Sequence, residues 1–317
     1  MDPAVVALGG GHGLHASLSA LRRVTSRLTA VVTVADNGGS SGRLRGEFGV
    51  LPPGDLRMAL AALCGDDDWG QTWARVLQHR FAGEGEMRGH VVGNLLIVSL
   101  WELLGDPVDA LDWVGRLLGA HGRVLPMAVT PMDITAQVRG LDPADPSALT
   151  RVRGQVEVAT TGGDIAAVSL VPEDAVACSE AVEAASRADW VVLGPGSWFT
   201  SVLPHLLVPD LRRALVHTAA RKLVVLNLGQ QRGETHGLGP EEHLAVLIEH
   251  APDLGVDTVL ADPRAVEDLH RLHTFVEAIG ARLVVADIAR ADGTPRHDPA
   301  ALATAYAAIL GKPSPVV

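Results

Sequence analysis

Short apolar runs recur along this chain, each closed by glycine or a polar cluster and followed by a stretch whose apolar residues fall three or four apart. The runs predict strands at 5–8, 30–34, 122–127, 155–159, 168–171, 190–193, 223–227, 258–261 and 283–286. The helical spacing predicts helices at 14–23, 55–63, 71–81, 92–104, 107–118, 175–187, 243–250, 265–279 and 299–310. Apolar strands alternating with helices build a parallel sheet covered on both faces, so the fold class is α/β with a mostly parallel, three-layer sheet. Helices follow one another after residue 66 with no strand between them, which predicts a helical insertion at about 66–121 capping the sheet. Segment 131–172 reads as antiparallel strands with turns at Asp142-Pro143, Asp145-Pro146 and Thr161-Gly162-Gly163-Asp164, a β-rich edge. The last helix is stopped by Gly311, leaving an extended tail at 311–317.

A chain of 317 residues, 47% of them hydrophobic, can bury the core of one large domain or at most two. A net charge of −11 argues against a nucleic-acid or anionic-membrane binder, because both need a surplus of positive charge. Any bound anion must therefore be held locally. Two cysteines, Cys64 and Cys178, exclude a disulfide scaffold and a thiolate zinc cluster. The start of the chain shows no basic region before a long apolar stretch, and the most apolar helix, 90–104, is broken by Gly93, Asn94, Ser99 and Glu102. No secretion signal or membrane span is expected, and the location expected is cytoplasmic.

The chemistry gathers at strand ends. Gly9-Gly10-Gly11-His12-Gly13 follows the first strand, and Gly11 to Ala16 matches GxGxxA before a helix. A nucleotide fingerprint also wants an acid at the end of the second strand, and Asp36 stands there, 25 residues after Gly11. The same residues would also serve a plain tight turn and a cap. The second corner, Asp36-Asn37-Gly38-Gly39-Ser40-Ser41-Gly42-Arg43-Leu44-Arg45, combines glycines, hydroxyls and guanidinium groups. Glycine lets backbone N–H groups turn toward an anion, and arginine matches phosphate oxygens in a planar fork. At roughly 1.5 to 3 kcal/mol per charge-assisted bond, three or four donors reach the roughly −8 kcal/mol of micromolar binding without a metal. The run Gly38 to Gly42 also fits the GxSxG pattern of a nucleophile elbow, but the second serine and two arginines favour an anion cradle.

Further on, in Pro52-Pro53-Gly54-Asp55-Leu56-Arg57 the prolines stiffen the approach and Asp55 can cap a helix whose first turn carries Arg57, while His90 and Asn94 share one helical face near an amino end, suited to ligand contact or to core hydrogen bonding. His90 has no second histidine or cysteine at ligand spacing, so no metal site is expected. In the second half, Val191-Val192-Leu193-Gly194-Pro195-Gly196-Ser197-Trp198-Phe199-Thr200-Ser201 repeats strand, glycine turn and hydroxyls, and in a parallel sheet it falls on the same rim. Trp198 and Phe199 suit either base stacking or the core. The glycine-rich run 227–237 reads as a ligand-covering loop, with 230–236 its moving part. The apolar stretch 203–208 suits core burial or a contact in a homo-oligomer. A dehydrogenase has little support, since no Tyr/Lys or His/Asp arrangement appears and the one tyrosine is Tyr306.

The strings GGGHGL, TVADNGGSSGRLR, PPGDLR, HRF, GHVVGNL, GPGSWFTSVLPHLLVP, GETHG and Arg296-His297-Asp298 together resemble the YvcK-like gluconeogenesis factor family within the CofD-like superfamily, over residues 4–310. The resemblance implies a Rossmann-like fold and a single domain across 1–317. It also implies a cytoplasmic regulatory protein without established catalysis that binds UDP-sugars, UDP-N-acetylglucosamine above all, and supports gluconeogenic growth and cell shape. Its partner would be a small-molecule nucleotide sugar, with no cofactor required. Carried onto this chain, Gly10, Gly11, Gly13, Ser40, Ser41 and Arg43 lie near the diphosphate, and Asp36 and Asn37 face ribose or sugar hydroxyls. Asn94 joins the binding set, Gly196, Ser197 and Thr200 close the other side, and Arg296 contacts the nucleotide or a phosphate. Asn37 stands where a second aspartate is usual, and His236 and Leu238 also depart from the family pattern. The sister group, 2-phospho-L-lactate transferase, implies an alternative: phospholactyl transfer from a nucleotide-activated donor to a deazaflavin, with Mg2+.

Overall fold

The computed structural model of the protein describes residues 2–229 and 239–311. Ten strands are present among them: β1 Ala4–Gly9, β2 Arg27–Val32, β3 Arg123–Pro126, β4 Asp133–Arg139, β5 Thr150–Arg153, β6 Asp164–Val171, β7 Trp190–Leu193, β8 Arg221–Val225, β9 Thr258–Ala261 and β10 Arg282–Val285. The α-helices are α1 Gly11–Leu21, α2 Gly39–Phe48, α3 Gly54–Ala62, α4 Asp68–Gln78, α5 Val92–Leu104, α6 Pro107–Leu118, α7 Gln155–Ala159, α8 Ser179–Ser186, α9 Pro204–Leu207, α10 Pro209–His217, α11 Pro240–His250, α12 Leu269–Ala278 and α13 Pro299–Leu310.

Seven strands pair in the order β10-β9-β8-β7-β1-β2-β3, all parallel, and β5-β4-β6 form a separate antiparallel sheet. The apolar strands are buried because helices flank the sheet; β7 and β9 have no exposed residue. Strand order reverses between β1 and β7. One half of the chain therefore grows the sheet in one direction and the rest in the other, and right-handed crossovers place α1 and α10 on opposite faces. Behind the sheet, α1 packs against α3 and α13, where the buried hydroxyls of Ser17 and Tyr306 meet at 2.8 Å.

The expected α/β class, the helices α4 to α6 between α3 and β3, and the antiparallel edge are all present. Two readings fail. Residues 155–159, expected as a strand, form helix α7: Gly154 turns the chain at φ 108°, and only Val158 of the five is buried. The alternation of Val156 and Val158 imitates a strand, but tertiary contacts decide. The Gly38–Arg45 run, expected as a loop, is largely helix α2 despite its poor helix formers. Gly42 permits this turn, since its N–H reaches Gly38 O at 2.8 Å while a Cβ would collide with the Asn37 carbonyl. Trp198 and Phe199 are core residues, 1% and 2% exposed. The covering loop expected at 230–236, with His236 and Leu238, and tail residues 312–317 lie outside the described residues.

One glycine governs how closely the central elements approach. A Cβ on Gly13 would overlap the Pro195 carbonyl and lie 2.6 Å from Gly196 Cα, whereas one on Gly46 in α2 meets nothing within 4 Å. Gly13→Ala should destabilise the protein by about 1–3 kcal/mol through overpacking, and Gly46→Ala should stabilise it by about 0.5–1 kcal/mol through helix propensity. Denaturant unfolding of the two variants tests the contrast.

Candidate functional site

Because the large sheet is parallel, the carboxyl ends of β1, β2 and β7 share one rim, and the reversal between β1 and β7 opens a crevice there. The first wall is the β1–α1 corner. Gly10 is extended, Gly11 adopts the left-handed φ of 58°, and the first turn of α1 carries no acid and no side-chain cap. Its dipole favours an anion, and its Gly11 N–H already donates to the Asp55 carboxyl. The second wall is α2, which likewise begins at an uncapped glycine, Gly38, without an acid in its first turn. The third is the β7 corner. Asn227 grips the Gly196 peptide from both sides, accepting from its N–H at 3.0 Å and donating to its carbonyl at 2.8 Å. Ser197 then caps a π-helical turn, Trp198–Val202, by accepting from Thr200 N, and the Ser197 and Thr200 hydroxyls bond each other.

The walls touch through glycine. A Cβ on Gly10 would lie 2.5 Å from Asp55 Oδ2 and from Thr33 Cγ2, and 3.3 Å from Ser201 Oγ. Thr33 is 1% exposed and its Oγ1 has no partner. Gly10, Gly11, Gly13, Asp36, Gly196, Ser197 and Thr200 thus lie at neighbouring corners of one crevice.

The remaining expected residues take different places. Ser40 is 4% exposed: its oxygen accepts from Asn94 Nδ2 at 3.1 Å and Val91 N at 3.3 Å and lies 3.3 Å from His90 Nδ1. Asn94 Oδ1 accepts in turn from Arg57 Nε at 2.9 Å. This buried chain ties α2, α3 and α5 together, and it encloses the serine rather than presenting a nucleophile. Ser41 is buried against Gly54. Arg43, expected at the diphosphate, instead donates to the carbonyls of Glu86 at 3.3 Å and Arg88 at 2.8 Å. Asn37, expected to face a sugar, points to α7, accepting from Val156 N at 3.1 Å and donating to Glu157 Oε2 at 2.7 Å. Arg296 is exposed on the turn after β10, next to Pro295, which lies near Gly229; its side chain has no hydrogen bond or ion pair among the described residues.

Asp55, expected to cap a helix, instead lies inside the first turn of α3, whose N-cap is Pro53. It is half-buried at the crevice, and its carboxyl is pushed up to about 7, first by burial and then by the charge of Asp36, against the Gly11 N–H and Arg57. Asp36 itself accepts from Gly38 N at 2.8 Å. Burial first, then Arg80, lowers Arg57 to about 10. The PPGDLR string carried both residues; what it could not show is that the helix start folds beneath the glycine corner.

Beyond Asn227, along the ends of β8 and β9, lies a cavity of about 480 Å³ bordered by Glu241, His243, Arg264, Asp268 and Arg271. His243 is 5% exposed, its Nε2 has no partner among the described residues, and burial lowers its pKa. A string of apolar-spaced residues gave no sign of this cavity, because its lining comes from three separate segments. Asp262 anchors the adjacent turn. Burial would raise its pKa, but bonds from Arg264 and from the N–H groups of Ile288 and Ala289 bring it down to about 2.

Comparison with known proteins fits this architecture. The sequence profile of the family described as 2-phospho-L-lactate transferase CofD matches residues 5–294. A protein of Mycobacterium tuberculosis H37Rv named "Putative gluconeogenesis factor" is 54% identical over 309 residues, 96% of this chain and 89% of that one. The "Gluconeogenesis factor" of Listeria innocua is 34% identical over 97% of this chain and 96% of its own. A crystal structure of a UPF0052-family protein from Bacillus halodurans superposes with a TM-score of 0.85 at 31% identity, covering 96% of this chain and 98% of that one. The chain belongs to the CofD family, among its gluconeogenesis-factor members. No helix among the described residues is long and apolar enough to cross a membrane.

The Asp55 shift sets a pH signature. Between its ordinary value of 3.8 and about 7, the folded protein keeps a proton that the unfolded chain has released. Stability should therefore fall as pH rises through that window, by at most about 1.4 kcal/mol per pH unit, and level off above it. Asp55→Asn should flatten the slope, which denaturant unfolding across the window measures.

Proposed function

We propose that the chain is a cytoplasmic, nucleotide-sugar-binding regulatory protein, with UDP-N-acetylglucosamine as its ligand, acting as a gluconeogenesis factor that supports cell shape and wall homeostasis. The observation that carries this reading is the pairing of two helix starts, α1 and α2, with no acid in their own first turns, at the ends of the neighbouring strands β1 and β2 beside the point where strand order reverses. A diphosphate fits there because both helix dipoles favour it, with the Gly11 and Gly38 N–H groups held by Asp55 and Asp36. The polar cavity beyond Asn227 offers room for the nucleoside, with His243 among its lining residues. The names of the relatives support the gluconeogenesis-factor part of this role. Ligand binding acts as a signal when it favours one conformation of the protein.

A second reading, phospholactyl transfer to a deazaflavin, draws on Asp36 and Asp55. Mg2+ typically binds through one or two carboxylates together with substrate phosphates, which this pair would fit. Among the described residues no cluster of three or more His, Cys, Asp or Glu offers a metal site made by the protein alone. The bound ion would neutralise phosphate charge, while Asp36 and Asp55 would hold it.

Calorimetry with UDP-N-acetylglucosamine, UDP-glucose, GDP and NAD separates the readings. Micromolar binding of the UDP-sugars without added metal is expected, and Arg296→Ala should weaken it by about tenfold or more, the equivalent of one charge-assisted bond. Binding of NAD alone, or of none of the four, overturns the proposal. Magnesium-dependent product formation from a nucleotide-activated lactyl donor, lost in Asp36→Ala, establishes the transferase.

A further inference from the structure

Asn37 lies at the phosphate-facing corner, yet both ends of its amide are committed to a segment about 120 residues away. Its Oδ1 accepts from Val156 N at 3.1 Å and its Nδ2 donates to Glu157 Oε2 at 2.7 Å. Three neighbouring contacts reinforce the junction. A Cβ on Gly38 would lie 2.9 Å from Val156 Cγ2, so the backbone of the α2 start packs directly on α7. Arg45 of α2 pairs with Asp133 of β4 at 2.7 Å, and Asp133 also binds Arg153 at 2.6 Å, two residues before α7. Gly154 N donates to Ile134 O at 2.8 Å, fixing the turn that enters α7. On its other side α7 touches the π-helical turn Trp198–Val202 of the β7 corner. The short helix therefore spans from the second wall of the crevice to the third, with Val156 43% exposed.

We infer that Asn37 is a positioning residue that fastens α7 across the mouth of the crevice through Glu157 and the Val156 amide, and that this wall, not the Asn37 amide, limits what is attached beyond the second phosphate. The inference rests on the nucleotide-sugar reading for its ligand but not for its geometry. An amide suits the role because it offers a donor to the carboxylate and an acceptor to the N–H at once. A carboxylate at position 37 would keep the bond from Val156 N but set a like charge against Glu157.

Two measurements test this at pH 8. Hydrogen exchange of residues 155–159 in the ligand-free protein reads the junction itself. Asn37→Asp should speed it at least tenfold, and Asn37→Asp with Glu157→Gln, which restores a donor opposite the new carboxylate, should return it to the parent rate. Calorimetry then reads the ratio of affinities for UDP-N-acetylglucosamine and UDP. That ratio should change at least fivefold in Asn37→Asp and in Glu157→Ala, with UDP affinity held within twofold, and return in the double variant. Unchanged exchange in Asn37→Asp overturns the inference, as does a double variant that regains exchange protection but not the affinity ratio, which would make Asn37 a direct ligand contact. If Asn37→Asp fails to fold, Glu157→Ala reads the same junction. Failure of the parent protein to bind either ligand strikes the nucleotide reading, and the exchange result still decides whether Asn37 holds α7.

Discussion

The crevice depends on one contact between backbones: the start of α1 at Gly13 lies against the Pro195 carbonyl and Gly196 Cα with no room for a side chain. Two peptide segments in such contact have no rotamers with which to adjust, so the distance between the β1 and β7 corners is set as rigidly as a packed interior allows. Asn227, at the end of β8, grips the same Gly196 peptide and brings a third strand end into register. Behind the sheet, the Ser17–Tyr306 bond and the packing of α13 hold α1 from its other side. The corner is thus fixed from in front and from behind.

Charge around this frame is sorted by depth. Helix starts without acids line the crevice, while the two carboxylates that do face it, Asp36 and Asp55, differ in environment: one accepts a backbone N–H at the α2 cap, the other retains its proton up to about 7. Deeper, Arg57, Asn94, Ser40 and His90 satisfy one another, and a network of this kind stiffens a site when each member has its partner. Thr33, beside the crevice, and His243, at the cavity beyond it, each bury a side-chain atom with no partner among the described residues.

Much of this was legible in the sequence. Strands 190–193 and 258–261 and helices 92–104, 107–118 and 299–310 have the bounds their apolar patterns give, because burial on both faces of a parallel sheet leaves long unbroken signals. The glycine corners were legible too, since each follows a strand. Residues whose fate rests on distant partners were not. Arg43 looks like a phosphate ligand until Glu86 and Arg88 offer carbonyls, and Asn37 looks like a sugar ligand until Gly154 turns α7 onto it. Helix α2 has the composition of a loop, and only its docking on α5 and on the small sheet makes it regular. Asp55 resembles any acid at a helix start, and its role follows from a burial that no local pattern encodes.

The pairing of β1 with both β2 and β7 also bears on how the molecule is made. β1 is an interior strand of the finished sheet, and the edge that β7 covers stays open until residues 190–193 have been synthesised. That pairing joins residues as far apart as Gly9 and Trp190, and long-range closure of this kind is slow because its entropy is lost before its contacts form.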